Sequence, residues 1–133
     1  MRGGDIEKTI IASEPRAPWP YAQAVRITGG SLIVCSGQVA FNPQRDIVGK
    51  GDIRAQTRQA FENLSALLEK SGASLKDVVH LTVYLTEMRE FPRLGEIAKE
   101  WLEEPYPGMT LIGVKELAWP DLMVELQALA AIE

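Results

Sequence analysis

The sequence predicts a single α+β domain, and three observations carry that reading. Two segments space their apolar residues for helices, several others are β-branched or alternate with period two, and the order interleaves them as hairpin, helix, strand, helix, strand, strand. In addition, 133 residues with 46% hydrophobic content supply one ordinary core without metal or disulfide staples. The domain spans residues 1–133, with 1–15 as an N-terminal segment carrying an edge strand.

Pro15, Pro18 and Pro20 forbid a continuous helix before Tyr21. Residues 23–27 and 31–38 read as a hairpin, because Gly29-Gly30 between them supplies the positive φ angles of a tight turn. The polar run 42–46 is a turn, and 49–51 closes the next extended stretch. Asp52 is an N-cap, and Phe61, Leu64, Leu67 and Leu68 follow at helical spacing until Gly72 provides a left-handed stop. Val79, Leu81, Val83 and Leu85 then alternate with His80, Thr82 and Tyr84, the period of a strand with two unlike faces. Phe91, Leu94, Ala98 and Trp101 make a second amphipathic helix, ended by Pro105 and Pro107. Residues 110–114 and 122–132 read as strands around a turn at Trp119-Pro120-Asp121. Two helices cover one face of a mixed sheet of about six strands, so the other face needs a partner, and self-association supplies it.

Composition excludes several function classes. The 14 basic and 18 acidic side chains are interspersed, and a net charge of −4 lacks the positive field that nucleic acid phosphates require, so no nucleic acid partner is expected. Apolar runs fall short of the roughly 20 residues that cross a bilayer, and the N-terminus lacks a signal-peptide core, which predicts a cytoplasmic protein with no membrane partner. Cys35 and His80 are the only residues of their kinds, which removes Cys/His zinc sites, two-histidine nucleases and CxxC redox pairs. A carboxylate-only divalent metal site is left open by these counts, but no DxDxDG-like loop supports it, and no metal and no cofactor is expected.

PYAQAV at 20–25, CSGQVAFNP at 35–43, GDIRAQTRQAFENL at 51–64, GASLKDVVHLTVYLTEM at 72–88 and VELQALA at 124–130 resemble the Rid family, also called YjgF-like, which includes the reactive-intermediate deaminases. The resemblance implies a chorismate-mutase-like subunit, a homotrimer around a barrel-like centre, and small-molecule clefts at subunit interfaces. In the family's active deaminases an arginine grips the carboxylate of a 2-imino acid, a glutamate of the last strand handles the attacking water, and a tyrosine lines the cleft. Position by position, the glutamate is Glu125 and the tyrosine Tyr21, the two catalytic candidates. Ser36 and Gly37 form the cleft floor, Tyr84 falls where the family has an aromatic cleft residue, and Pro107 and Met109 align with the family pattern PARSTVEV.

That alignment puts Met109 where the family has its arginine. A guanidinium is a permanently charged fork matched to a carboxylate, whereas a thioether offers no donor. Charge-assisted hydrogen bonds contribute about 1.5–3 kcal/mol each, so losing a bidentate pair weakens binding of a carboxylate about a hundredfold or more. Arg16, Arg26 and Lys115 are the candidates for a substitute charge, from the same or a neighbouring subunit.

Each residue also has a plainer role. Glu125, in an apolar strand, either meets a partner in a structural salt bridge or sits in a wet cleft. Tyr21 is a cleft residue or a core ring with a tethered hydroxyl. Cys35 reads as a small buried apolar residue, His80 as half-exposed on its strand, and Met109 serves as cleft packing. The readings carried forward are an imine or enamine hydrolase of altered substrate range and, alternatively, a non-catalytic small-molecule-binding or regulatory trimer. A ribonuclease is the remote third, opposed by the acidic balance, the single histidine and the missing metal motif.

Overall fold

The computed structural model describes residues 5–12, 14 and 21–133. Pro15, Arg16, Pro18 and Pro20 lie outside the described residues. Along the chain run β1 (Ile6–Ile11), β2 (Ala24–Gly29), β3 (Ser31–Val34), α1 (Ile53–Lys70), β4 (Val78–Leu85), α2 (Phe91–Trp101), β5 (Gly108–Gly113) and β6 (Val124–Ile132). The α+β class, the two helices and the six strands agree with the sequence reading.

The strands form two sheets where one was expected. β1 pairs antiparallel with β2, while the second sheet has the order β3-β6-β4-β5. In it β4 and β5 run parallel and the other pairs antiparallel, so this sheet is mixed. The predicted hairpin between 23–27 and 31–38 does not form: β2 takes β1 as its partner, and β3 takes β6. Gly29 and Gly30 do have positive φ, 78° and 77°. Yet Gly29 is already paired opposite Ile6, which leaves Gly30 alone between the strands and hands the chain from one sheet to the other. A Cβ at Gly30 would overlap the Ile132 carbonyl and approach Ile6 Cδ1 to 2.9 Å, so both sheets close around a glycine.

Asp52 caps α1, its side chain accepting from the Ala55 N–H at 3.2 Å, and Gly72 at φ 82° follows the last turn. α2 stops at Trp101, with extended backbone at Leu102. It therefore ends before the prolines at 105 and 107 that were expected to end it. Arg54 Nε donates to Glu96 Oε2 at 2.9 Å and ties the two helices on their solvent side. Beneath them Phe61, Leu64, Leu68, Leu94 and Ala98 are buried together with Leu81, Val83 and Leu85 of β4 and Val124, Leu126 and Ala128 of β6. Phe61 stacks on Trp101 with ring centroids 5.8 Å apart.

Among the described residues no helix lies over the opposite face of this sheet. His80, Thr82 and Tyr84 of β4, Glu125 and Gln127 of β6, and Thr110 and Ile112 of β5 share that face by strand alternation and register. Beside them Leu32 and Val34 of β3 are 58% and 68% exposed, large apolar side chains that a soluble face rarely leaves bare. Among the described residues no helix is long and apolar enough to cross a membrane.

Candidate functional site

The chain places the predicted site residues in two clusters. The first forms where β3 runs out alongside β6. Cys35 N donates to the Ala128 carbonyl at 3.0 Å, and Gln38 and Leu126 exchange bonds of 2.7 and 2.9 Å. Three steps on one strand therefore match two on the other, and the extra residue makes Ser36-Gly37 a bulge. Gln38 Nε2 closes it by donating to the Ser36 carbonyl at 3.1 Å. The Glu125 carboxylate lies directly on Gly37, in the space a Cβ would fill, so glycine is what lets the carboxylate reach the backbone. Tyr84 is paired opposite Glu125 on β4, and its hydroxyl donates to Gln127 Oε1 at 2.8 Å. Glu125 is half-buried and belongs to no ion pair among the described residues.

The second cluster lies at the β5 edge. Ala22 N donates to the Pro107 carbonyl at 2.9 Å and Ala22 forms a parallel bridge with Gly108, which brings Tyr21 to the start of β5. Met109 is paired opposite Leu81 and packs against the core from the helix side. Tyr21, Val83, Phe91, Met109, Thr110 and Leu111 line a cavity of about 260 Å³. The lining is mainly apolar, the Thr110 hydroxyl being turned toward His80 Nε2 at 3.3 Å.

Glu125 and Met109 are thus brought onto opposite faces of the sheet. They are separated by two strand spacings and three residues of strand, roughly 10 Å in each direction. One chain does not unite Glu125, Ser36, Gly37 and Tyr84 with Tyr21, Pro107 and Met109 in a single pocket. Of the substitute charges, Lys115 lies six residues beyond Met109, past the end of β5, and is exposed. Arg26 is exposed on β2, opposite Thr9.

Two other residues have local roles. Cys35 is buried, and the loss of solvent pushes its thiol pKa up, which keeps it protonated and unsuited to nucleophilic attack. The His80 ring spans Thr82 Oγ1, 3.5 Å from Nδ1, and Thr110 Oγ1, 3.3 Å from Nε2, so it bridges β4 and β5 rather than standing free. Gly108 makes room for the ring, since a Cβ there would meet His80 Cδ2 at 3.1 Å.

The residues that sequence reasoning missed are amides of α1. Gln56 is fully buried; its Nε2 donates to the Gly49 and Asp121 carbonyls at 3.2 and 2.8 Å, and its Oε1 accepts from Met123 N at 2.8 Å. Asn63 Nδ2 donates to the carbonyls of Val39 and Phe41, both at 2.8 Å. Together they hold the segments that follow Gly37 and precede Glu125. Gln56 sits in the apolar stripe of Ile53, Ala60, Phe61 and Leu64, and a lone amide in such a stripe is a readable sign of this role.

The family model described as endoribonuclease L-PSP matches residues 11–132. The chain belongs to this family. A RutC family protein of Pyrococcus abyssi is 37% identical over 127 residues, covering 94% of this chain and 98% of that protein. A protein of Dermatophagoides farinae named 2-iminobutanoate/2-iminopropanoate deaminase is 35% identical over 126 residues, with 92% and 96% covered. A crystal structure of a Rid family protein of Yersinia pestis, of unknown function, superposes with a TM-score of 0.83 at 30% identity, covering 94% of this chain and 98% of that one. The first cluster of this Rid-family chain is therefore embedded in a fold shared along nearly the full length of these relatives.

Proposed function

We propose that the protein is a cytoplasmic homotrimer that hydrolyses small imines or enamines lacking a carboxylate, in clefts where the first cluster of one subunit meets the second cluster of its neighbour. The observation that carries this reading is the Glu125 carboxylate, seated on Gly37 on the uncovered sheet face with no ion pair among the described residues. Exposed Leu32 and Val34 on the same face favour a partner subunit over bulk water. The deaminase name of the Dermatophagoides relative supports the reaction class.

In this reading Glu125 takes a proton from water as the water oxygen attacks the imine carbon. The carbon–nitrogen π pair moves to nitrogen, which is protonated, and collapse of the carbinolamine releases ammonia and leaves a carbonyl. Tyr21 orients the substrate, Ser36 and Gly37 floor the cleft, Tyr84 walls it, and Pro107 fixes the strand that presents Met109. Methionine receives an apolar group where the resemblance puts an arginine for a carboxylate.

The test is hydrolysis of imines generated from a panel of amines and amino acids by purified protein and by Glu125→Gln. Acceleration that is lost in the variant is expected; no Glu125-dependent acceleration with any imine would sink the reading. Met109→Arg should shift preference toward 2-imino acids. The apolar lining of the Met109 cavity also favours a second reading, a binding or regulatory trimer without turnover. That reading requires ligands whose thermal stabilisation disappears in Tyr21→Ala while no imine is hydrolysed.

A further inference from the structure

Phe41, Arg45 and Trp119 line a cavity of about 510 Å³ that belongs to neither cluster. The rings of Phe41 and Trp119 meet edge-on, with centroids 5.4 Å apart and planes at 89°. Trp119 is nevertheless 54% exposed, so this contact leaves much of the indole free to stack. Such a pair of rings at right angles offers one flat wall and one end wall.

Arg45 supplies the charge. It is the only non-glycine residue with positive φ, 65°, among the described residues. Glycine or asparagine adopts that backbone more readily, so a long cationic side chain there needs a turn that imposes it. The turn is tightly closed. Arg45 N donates to the Asn42 carbonyl at 2.9 Å, Asn42 N donates to the Asp46 carbonyl at 3.0 Å, and Asn42 Oδ1 accepts from Gln44 N and Asp46 N at 3.0 and 2.9 Å. From behind, Asn63 holds the Phe41 carbonyl. Nearby Lys50 is 3.5 Å from Asp121, whereas Arg45 belongs to no ion pair among the described residues.

We propose that this pocket binds a planar aromatic carboxylate, its ring stacked on Trp119 and its carboxylate held by the Arg45 guanidinium. The chemistry of the walls selects that class: a flat indole favours a flat ring, and the forked guanidinium favours a carboxylate. Phe41 is four residues from Gly37, at most roughly 13 Å of chain, so the occupant lies beside the Glu125 cluster without being part of it. The pocket stands whether or not the protein hydrolyses imines.

The full chain, labelled with nitrogen-15, is titrated with indole-3-carboxylate, with the neutral indole-3-carboxamide, with cyclohexanecarboxylate and with uridine monophosphate. The indole N–H of Trp119 is the readout, and that of Trp101, stacked on the buried Phe61 ring, is the reference. Indole-3-carboxylate should give a saturable shift at Trp119, and the carboxamide and the saturated acid should bind about tenfold or more weakly. Arg45→Gly suits the left-handed backbone, so it should keep the fold while weakening the carboxylate by the same factor. Asp46→Asn removes a neighbouring negative charge and should tighten binding; Glu125→Gln should leave it unchanged. No saturable shift at millimolar ligand, undiminished binding in Arg45→Gly, or tighter binding of the nucleotide than of the carboxylate would each overturn the proposal.

Discussion

Leu81, Val83 and Leu85 on one face of β4 and His80, Thr82 and Tyr84 on the other are interleaved in sequence and contrast in surroundings. The first set is buried under α1 and α2; the second stands on a face with no helix above it, among hydroxyls, an imidazole and the Glu125 carboxylate. The helix-side face holds the fold through apolar contact, which is non-directional and tolerant of identity. The open face positions single polar groups through specific bonds, such as Tyr84 to Gln127 and His80 to Thr110, which contribute little to stability and much to geometry. One strand thus serves two purposes because its period of two keeps them apart.

The largest effect that tests this division is Phe61→Ala. The ring is fully buried, stacked on Trp101 and set between the helices and the sheet, so its loss should cost about 3–5 kcal/mol in urea denaturation. Thr82→Ala on the open face should stay within about 1 kcal/mol. Comparable losses would show that the two faces are not energetically distinct.

The helix-side face was also the part most legible in the sequence. Alternation along 79–85 and the helical spacing of Phe61, Leu64 and Leu68 are direct consequences of burial, and Asp52 and Gly72 mark the ends of α1 through local backbone chemistry. The hairpin reading failed because Gly29-Gly30 encodes a turn but not a partner. Whether β2 pairs with β3 or with β1 depends on Ile6–Ile11, distant in sequence and without a period-two alternation of its own. The candidate site was readable only in pieces. Glu125 lies on Gly37 and opposite Tyr84, and its separation from Met109 follows from strand register, which no local pattern contains.

An intermediate effect should come from Gln56, which links the two regions. Gln56→Leu fits the apolar stripe of α1 but leaves the Met123 N–H and the Gly49 and Asp121 carbonyls without their partner. A loss of about 1–3 kcal/mol is expected, with faster amide exchange at Met123 than at Leu126 in mid-strand. A stability equal to the parent protein, with unchanged exchange at Met123, would remove Gln56 as the support of the β6 entry.

The smallest effect on stability, and the sharpest on geometry, belongs to Gly37→Ala. The glycine does not have positive φ, so alanine brings no backbone strain; the added Cβ instead overlaps the Glu125 carboxylate. That carboxylate is the far end of a flexible side chain and moves aside at a cost below about 1 kcal/mol, so urea denaturation should barely register the change. Any Glu125-dependent imine hydrolysis should nonetheless fall to the level of Glu125→Gln, and the double variant should be no slower than either single one, because both changes remove the same group from the same place. Full activity in Gly37→Ala would mean that the carboxylate works from another position. The open face would then lose its claim to be a geometry built around that glycine.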